Sequence, residues 1–411
     1  MWAGPAGQFV NSLAKLGWTW EGNFHLRTRE GLTLHLLEVD SGLLQHLLRE
    51  DLRSALWRQA AQRRRDMKGL EENPHVDRLT TLKHYNSLQG KSRGLMRKLL
   101  VGAVDSRSKL FKRGMAPHDW CVFCGCRQPE TLEHILWECA WWQDHRVLLQ
   151  QPEGPPGPPC SALCGLARHE QRLMDARVRM SSLPERPVVE HIPSVVSQAR
   201  ESRDEHGRII VFTDGACRRN SNEQLRRAGS GAYWGEQHPA NFSVPLAGWS
   251  QTNQRAELYA VLRVLLTDAR PVHIYSDSQY VLNGIARHHI WRGRGWKGDN
   301  SDLWERLSNV LTVRGQTLSF SKVKAHCTWT DVERGAISMF CKIGNAKADM
   351  LAVEASLEHD FHPAIVSAAA KTQEHTVALH KEMVAILEEW SMAVQELDFL
   401  YDKRLHPPLP M

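Results

Sequence analysis

The chain has 411 residues, of which 42% are hydrophobic and 24% charged, and its formal net charge is +6; this balance predicts two globular domains plus linkers. No stretch approaches roughly 18 uncharged apolar residues, and residues 1–20 lack a basic start followed by an apolar run, so we expect no membrane span and no secretion signal. With an odd number of cysteines, nine, we expect a soluble intracellular protein with reduced thiols.

Residues 1–115 are predicted to form a mostly helical, basic region. Leu44, Leu48, Leu52 and Leu56 recur at four-residue spacing, which predicts a helix whose leucines face a core. Basic clusters follow, and they fit either a phosphate backbone or ordinary solvated helix faces. The clusters are Arg58 with Arg63, Arg64 and Arg65, then Lys91, Arg93, Arg97 and Lys98, then Arg107, Lys109, Lys112 and Arg113.

Residues 116–149 carry a cysteine and histidine pattern typical of a zinc knuckle. Three thiols and one imidazole in the spacing C-x2-C-x9-H-x4-C would complete a tetrahedral structural Zn²⁺ site. The predicted ligands are Cys121, Cys124, His134 and Cys139. Cys126 is an alternative to Cys124, and simple burial of free thiols is the competing interpretation.

Residues 150–207 are predicted to be a Pro-rich tether. The run at 150–159, QQPEGPPGPP, is too rich in Pro and Gly for a packed element, whereas residues 173–180 are expected to form a short helix. Residues 357–411 are expected to contain an amphipathic helix that packs on a neighbour and ends before Pro407 and Pro408. Its apolar side chains are Val377, Leu379, Met383, Ile386, Leu387 and Trp390.

Residues 208–356 alternate strand and helix patterns, which predicts an α/β domain with a mixed five-stranded sheet flanked by helices. Strands are expected at 208–217, 229–234, 241–244, 272–276 and 318–324, and helices at 252–266, from 278, and around 344–355. Asn253 is the expected N-cap of the first helix, and the unpatterned segment 327–343 is expected to be a loop. Residues 207–356 contain 19 basic and 13 acidic side chains, the whole positive excess, which suits a polyanionic partner but is small enough to occur without one.

Four acidic side chains of this domain are predicted to converge. Asp214 and Asp277 each stand at the end of a strand. Glu257 lies one turn inside a helix, and Asp349 is expected in the first turn of the last helix. Carboxylates at such short distances repel one another unless cations neutralise their charges. Oxygen ligands of this kind favour Mg²⁺ or Mn²⁺. Two such ions about 3.5–4 Å apart activate water for phosphoryl displacement, so the pattern predicts hydrolytic chemistry.

Five motifs around these acids resemble the ribonuclease H family in order and approximate spacing. They are T-D-G-x-C at 213–217, T-N-x-x-A-E at 252–257, S-D-S-Q-Y-V at 276–281, V-K-A-H at 323–326 and N-x-x-A-D at 345–349. The resemblance implies that the four acids bind two Mg²⁺ ions. It further implies that His326, on a mobile loop, assists proton transfer or product release.

The same resemblance implies contacts with an RNA/DNA hybrid, whose RNA strand is recognised through its 2′-hydroxyl groups. The implied contact residues are Gly215, Cys217, Asn220, Asn253, Gln254 and Gln279. The segment 291–304 resembles the basic, tryptophan-bearing handle of cellular family members, which implies that Arg292 and Lys297 bind the DNA strand. Its loop is shorter here, so Arg292, Arg294 and Lys297 are also explained as exposed charges.

The order of a basic helical region, a Cys/His set and a ribonuclease H domain resembles the C-terminal part of non-LTR (LINE-like) retrotransposon polyproteins. No adjacent Asp-Asp pair occurs in the sequence, so we do not predict polymerisation. We expect a retroelement-derived endoribonuclease that hydrolyses the RNA strand of RNA/DNA hybrids and leaves 5′-phosphate and 3′-hydroxyl ends. The alternatives are a catalytically inactive nucleic-acid-binding remnant, and a transposase or integrase that acts on DNA ends.

Overall fold

The computed structural model describes residues 4–72, 74–146, 164–167, 171–188, 201–295 and 298–405. The chain divides into two compact units. The first comprises Met1–Glu38, Gln45–Met174 and Ala364–Met411, and the second comprises Val39–Leu44 and Asp175–Pro363. The segment 150–159, Lys297, Pro407 and Pro408 lie outside the described residues. Within the described ranges, no helix combines the length and the apolar character needed to cross a bilayer.

The first unit opens with a helix and a small antiparallel sheet, and its remaining elements are helical. Helix α1 (Gly4–Lys15) precedes strands β1 (Thr19–Gly22), β2 (His25–Arg27) and β3 (Thr33–His35), which lie in the order β1-β2-β3. Then come α2 (Ser41–Ala61), whose first residues belong to the second unit, α3 (Arg78–Ser87), α4 (Gly90–Leu100) and α5 (Arg107–Lys112). Strands of three or four residues show too few alternations for a period-two pattern, so the sequence does not predict the small sheet.

The leucine pattern in α2 predicts the helix but not the side of it that is buried. Leu52 and Leu56 are 51% and 57% exposed, whereas Leu43 and Ala61 are buried. Residues four apart differ by about 40° around a helix, so four such positions drift through about 120° and leave the buried face. The prediction that this whole run faces a core is therefore wrong.

The second unit contains the mixed five-stranded sheet. After helix α6 (Gln171–Ser181) come β4 (Ile209–Arg218), β5 (Arg227–Tyr233), β6 (Phe242–Pro245), β7 (Val272–Ser276) and β8 (Leu318–Lys322). Their spatial order is β6-β5-β4-β7-β8. Strand β4 is antiparallel to β5 and parallel to β7, while β7 is parallel to β8 and β5 antiparallel to β6.

Helices cover both faces of this sheet. On one face, α7 (Asn253–Thr267), α8 (Gln279–Gly293) and α9 (Ser301–Arg314) bury apolar side chains against β4 and β7. On the other face, the short α10 (Trp329–Glu333) is followed by α11 (Met339–Glu358), which packs very closely on the sheet. A Cβ added to Gly231 of β5 would lie 2.5 Å from the Ala348 carbonyl oxygen. The predicted α/β fold is confirmed.

Helix α11 begins earlier than the sequence predicts. It starts at Met339, so Asp349 lies in the middle of the helix rather than in its first turn, and part of the predicted loop 327–343 is helix α10. The sequence pattern predicts that this helix starts at about residue 344, so Gly344 would be its first residue. A Cβ at this position would lie 2.2 Å from the Phe212 ring, so glycine is required there by packing.

Two further boundaries differ from the predictions. The N-cap of α7 is Thr252 and not Asn253, because the Thr252 side chain accepts the hydrogen bond of the Arg255 backbone N–H. Strand β4 continues to Arg218, so Asp214 is not the last residue of its strand. The antiparallel pairing with β5 keeps β4 extended past this point.

The C-terminal helix α12 (Pro363–Leu405) belongs from Ala364 onward to the first unit. One apolar side of this helix lies in a buried cluster with α4 and with the segment that carries Cys121 and Cys139, which we call the cysteine segment. From α12 the cluster contains Leu379, Met383, Val384, Ile386, Leu387 and Trp390, and from the rest of the unit it contains Leu95, Met96, Leu99, Cys121, Ile135 and Cys139. The cysteine segment is thus part of a hydrophobic core.

Candidate active site and cysteine cluster

Asp214 and Asp277 lie at the carboxyl end of the parallel strand pair. The parallel pairing of β4 with β7 ends at Thr213↔Ser276, and the two aspartates are the next residues on their chains. Asp214 is only 7% exposed, so its carboxyl group is largely removed from solvent. The two parallel strands therefore bring both acids to the same edge of the sheet.

Glu257 reaches this edge from helix α7. The cap at Thr252 starts the helix, which places Glu257 in its second turn. A Cβ on Gly215 would lie 2.3 Å from the Glu257 backbone nitrogen, so strand and helix meet here backbone to backbone. The Asn253 side-chain amide donates a hydrogen bond to Glu257 Oε1 at 2.6 Å and orients that carboxylate.

Three of the four predicted acids come together. Carboxylate oxygens of Asp214, Glu257 and Asp277 all lie within 4.8 Å of one another. Asp349 does not belong to this set, but it lines an adjoining cleft together with Asp214. Asp349 therefore stands beside the cluster, on the side of Asp214.

Burial and mutual repulsion disfavour ionisation in this cluster. Burial, followed by the charge of Asp277, raises the pKa of Asp214 to about 8, and Asp349 and Glu257 add to the effect. Burial also raises the pKa of Glu257 to about 7, with a contribution from Asp277. A divalent cation removes such repulsion, and carboxylate oxygens are ligands that Mg²⁺ and Mn²⁺ prefer. The side chains present therefore fit a divalent cation.

The cleft beside Asp214 is formed by the segment after β8 and by α11. It is lined by Asp214, Lys324, His326, Cys327, Lys342, Asn345, Ala346 and Asp349. The exposed His326 has a φ of +46°, and a capping box of Thr328 and Asp331 follows it at the start of α10. Lys342 Nζ donates to the Cys327 backbone oxygen at 2.5 Å, which ties this segment to α11.

The family-implied substrate residues lie on the end of β4, the loop after it and the first turns of two helices. Asn220, Gln254 and Gln279 are exposed, and Cys217 is half-buried. Gln279 Nε2 donates to Asn283 Oδ1 at 2.9 Å. Near the end of α8, Arg292 Nη1 donates to Thr312 Oγ1 at 2.8 Å, and Lys297 of the predicted handle lies outside the described residues.

Four side chains of the cleft received no role from sequence reasoning: Lys324, Cys327, Lys342 and Asn345. For Asn345 a signal was available. It precedes Asp349 by four residues, and residues four apart lie on one side of a helix. The other three could not be placed, because their segment carries no periodic pattern that shows where the chain turns.

In the first unit, ligand atoms of Cys121, Cys124, His134 and Cys139 all lie within 4.8 Å of one another. Cys126, the alternative ligand, is exposed, and its Sγ lies 2.8 Å from Cys124 Sγ and 3.9 Å from His134 Nε2. Burial raises the pKa of the Cys121 and Cys139 thiols, and ligation of a metal as thiolates opposes this effect. Three thiols and an imidazole fit tetrahedral Zn²⁺.

A mixed sheet with carboxylates gathered where its parallel strands end defines the ribonuclease H-like class of α/β domains. The family described as RNase H matches residues 206–357. Over 140 residues, the chain is 38% identical to the ribonuclease H of Sodalis glossinidius (strain morsitans), a match that covers 31% of this chain and 78% of that protein. The chain belongs to the ribonuclease H family.

Other known proteins are also similar to this chain. Human ribonuclease H1 (Homo sapiens) is 30% identical over 190 residues, which is 42% of this chain and 60% of that protein. The chain spans between 51% and 60% of the length of its mammalian and fission yeast relatives. The solution structure of the PFV RNase H domain is 23% identical, with a TM-score of 0.29, and the match covers 36% of this chain and 94% of that one.

Proposed function

We propose that the domain at residues 206–357 is a metal-dependent endonuclease that hydrolyses the RNA strand of RNA/DNA hybrids. The observation that supports this most directly is the cluster of Asp214, Glu257 and Asp277 at the end of the parallel strands. Membership of the ribonuclease H family supports the choice of substrate. The products are a 5′-phosphate and a 3′-hydroxyl end.

The residues have separate roles in this proposal. Asp214, Glu257 and Asp277 hold the cations, and Asp349 adds an oxygen from the side of the cleft. At this site, two bound Mg²⁺ ions would supply an activated water and would stabilise the leaving oxygen. Asn253 keeps the Glu257 carboxylate oriented. His326, exposed at the rim of the cleft, delivers a proton to the 3′-oxygen from an imidazole nitrogen.

Cleavage of an end-labelled RNA/DNA hybrid in the presence of Mg²⁺, followed on a denaturing gel, tests the proposal. We expect Asp277→Asn to lower the cleavage rate by more than about 100-fold. Loss of a residue that only hydrogen-bonds to a metal ligand already lowers metal affinity or activity by about 10–100-fold. Hybrid binding, measured by a gel shift, is expected to persist. Glu205→Gln, which changes an exposed carboxylate of the same unit outside the cluster, serves as the control and should cleave normally.

Three outcomes of this assay contradict the proposal. An unchanged hybrid at saturating wild-type protein would show a nucleic-acid-binding remnant. Persistent cleavage by Asp277→Asn would show that the metal site is wrong. Cleavage of duplex DNA in a parallel reaction, with the hybrid intact, would favour a transposase or integrase.

We also propose a structural Zn²⁺ ion at Cys121, Cys124, His134 and Cys139. The proximity of the four ligand atoms supports this site. Elemental analysis of the purified chain is expected to find one zinc per molecule, and Cys139→Ser should lose it. Cys164→Ser changes a buried thiol of the same unit outside the cluster and should retain the metal. Loss of zinc from both variants, or from neither, would contradict the assignment.

We further propose that the chain derives from a non-LTR retrotransposon polyprotein. The order of basic helices, Cys/His set and ribonuclease H domain supports this origin. Sequencing of the genomic region upstream of the coding segment tests it. We expect a reading frame, or its remains, that encodes a reverse transcriptase with an Asp-Asp motif, and its consistent absence from related loci would count against the origin.

A further inference from the structure

Asn345 is a buried amide of the cleft, and its oxygen has no protein partner. The residue is 6% exposed, and none of the described residues donates a hydrogen bond to its Oδ1. Buried polar atoms in native proteins nearly always have a partner. An acceptor that the protein leaves unsatisfied in a functional cleft therefore indicates a donor on a bound molecule.

The packing of α11 on β4 determines where this amide lies. The neighbouring Gly344 is so close to β4 that a Cβ there would meet the Phe212 ring at 2.2 Å. Phe212 and Asp214 are two residues apart on the strand and so point to the same face of the sheet. Asn345 and Asp349 are one turn apart on the helix. All three polar side chains, Asp214, Asn345 and Asp349, consequently line one cleft.

The nearby lysines of the cleft use their ammonium groups elsewhere. Lys342 Nζ donates to the Cys327 backbone oxygen, and Lys324 Nζ donates to the Asp331 carboxylate. Of the other polar groups that line the cleft, the Cys327 thiol donates to the Lys324 backbone oxygen at 3.0 Å, His326 is exposed at the rim, and Asp214 and Asp349 are acceptors when ionised. The missing donor must therefore come from what the cleft binds.

A water molecule on a bound divalent cation is a donor of the required kind. Mg²⁺ retains several of its waters in protein sites, and each of them donates hydrogen bonds outward. An amide oxygen accepts such a bond without adding another negative charge to a cluster of carboxylates. Residues that orient the ligands of a metal in this way commonly determine its affinity.

We propose that Asn345 is a positioning residue of the metal centre, whose Oδ1 accepts a hydrogen bond from a water on the cation held by Asp214 and Asp349. This inference depends on the metal-dependent nuclease proposed above. It assigns to the asparagine of the N-x-x-A-D motif an effect on cation affinity, separate from any contact with nucleic acid.

Calorimetric titration of Mg²⁺ into the full chain, without nucleic acid, tests the assignment. We expect Asn345→Ala to bind Mg²⁺ about tenfold more weakly than the wild type, and Asn345→Asp, which keeps an acceptor oxygen, to stay within about threefold. Asn241→Ala is the matched control. Asn241 has its amide satisfied, because Oδ1 accepts from the Trp234 N–H and Nδ2 donates to the Gly235 oxygen, both at 2.8 Å.

Thermal unfolding in EDTA gives a second readout. If Asn345 had only a structural role, its replacement would lower the Tm measured without metal. Asn345→Ala loses no protein hydrogen bond, so its Tm without metal should equal or exceed that of the wild type. Asn241→Ala loses two such bonds and should melt earlier. Addition of Mg²⁺ should raise the Tm of the wild type and of Asn241→Ala more than that of Asn345→Ala. Asn345→Ser provides the same comparison if the alanine variant does not fold.

Two results would overturn the inference. One is a Mg²⁺ affinity of Asn345→Ala equal to that of the wild type, and the other is destabilisation of this variant in EDTA comparable to that of Asn241→Ala. If the wild type binds Mg²⁺ and cleaves while either result is found, only the role of Asn345 fails. If the wild type neither binds Mg²⁺ nor cleaves, the proposed nuclease fails as well.

Discussion

Replacement of Gly215 by alanine should separate β4 from α7 and impair the carboxylate cluster. The new Cβ would lie 2.3 Å from the Glu257 nitrogen and 2.7 Å from the Ala256 carbonyl carbon. Non-bonded atoms pack best about 3.5–4.0 Å apart, so strand and helix must move apart by about 1 Å. Both contacts are backbone atoms, which cannot rotate away as a side chain can. The resulting strain would displace Asp214 relative to Glu257, the two acids whose relative position this contact fixes.

The expected cost has two parts. Overpacking of this kind destabilises a protein by about 1–3 kcal/mol. A displacement of about 1 Å at a reacting centre lowers the rate by about 100-fold. Single-turnover cleavage of a labelled hybrid measures the second effect, and urea unfolding measures the first.

Gly315→Ala is the control for this experiment. Gly315 has φ −48° and ψ −41°, a conformation open to any residue, and a Cβ there would have nothing within 4 Å. Its alanine variant should cleave like the wild type and be slightly more stable, by about 0.4–1 kcal/mol. A cleavage rate of Gly215→Ala within about threefold of the wild type would refute the reasoning, because it would show that the contact does not align the acids.

Three further outcomes are expected. Burial and the neighbouring His84 lower the pKa of His380 to about 4, below the unfolded value of about 6.5, so its contribution is complete above pH 6.5 and is lost as the pH falls toward 4. Between pH 7.5 and pH 5, the wild type should lose about 2 kcal/mol more of its free energy of unfolding in urea than His380→Gln does, and an equal loss in both would exclude this histidine as a cause. Chelation of zinc should lower the Tm of the first unit, and a Tm unaffected by chelator would speak against a structural ion. Cys327 lines the cleft, so a group attached to its thiol should block entry of the substrate. Alkylation should therefore stop cleavage by the wild type and by Cys341→Ser but not by Cys327→Ser, and equal sensitivity of all three would disprove this steric effect.

The sequence was most informative where local structure alone positions a side chain. Asp214 and Asp277 follow β-branched runs, and Glu257 follows a strong helix cap, so each could be placed without knowledge of the tertiary fold. The convergence of Asp214 and Asp277 then follows from the parallel pairing of β4 with β7, whereas Glu257 reaches them from α7.

The misplaced residues are those whose environment comes from distant packing. The N-x-x-A-D motif predicts Asp349 in the first turn of a helix, whereas the helix starts at Met339, and only the Phe212 ring on β4 shows why glycine stands at position 344. Leu52 and Leu56 belong to a regular leucine run, yet periodicity cannot show which side of a helix a separate part of the chain covers. The lack of a hydrogen-bond donor for the Asn345 side-chain oxygen likewise depends on neighbours that are distant in the sequence.

The chain order of the first unit has a consequence for synthesis on the ribosome. Leu379 of α12 comes about 240 residues after Cys139, and both side chains belong to one buried cluster. At about 5–20 residues per second, Cys139 waits roughly 12–48 s for its covering helix, and Leu95 and Leu99 of the same cluster wait longer. Residues Asp175–Pro363 of the second unit all emerge during this interval. The unit that begins first therefore completes its core last, and until then its exposed apolar surface is prone to aggregation.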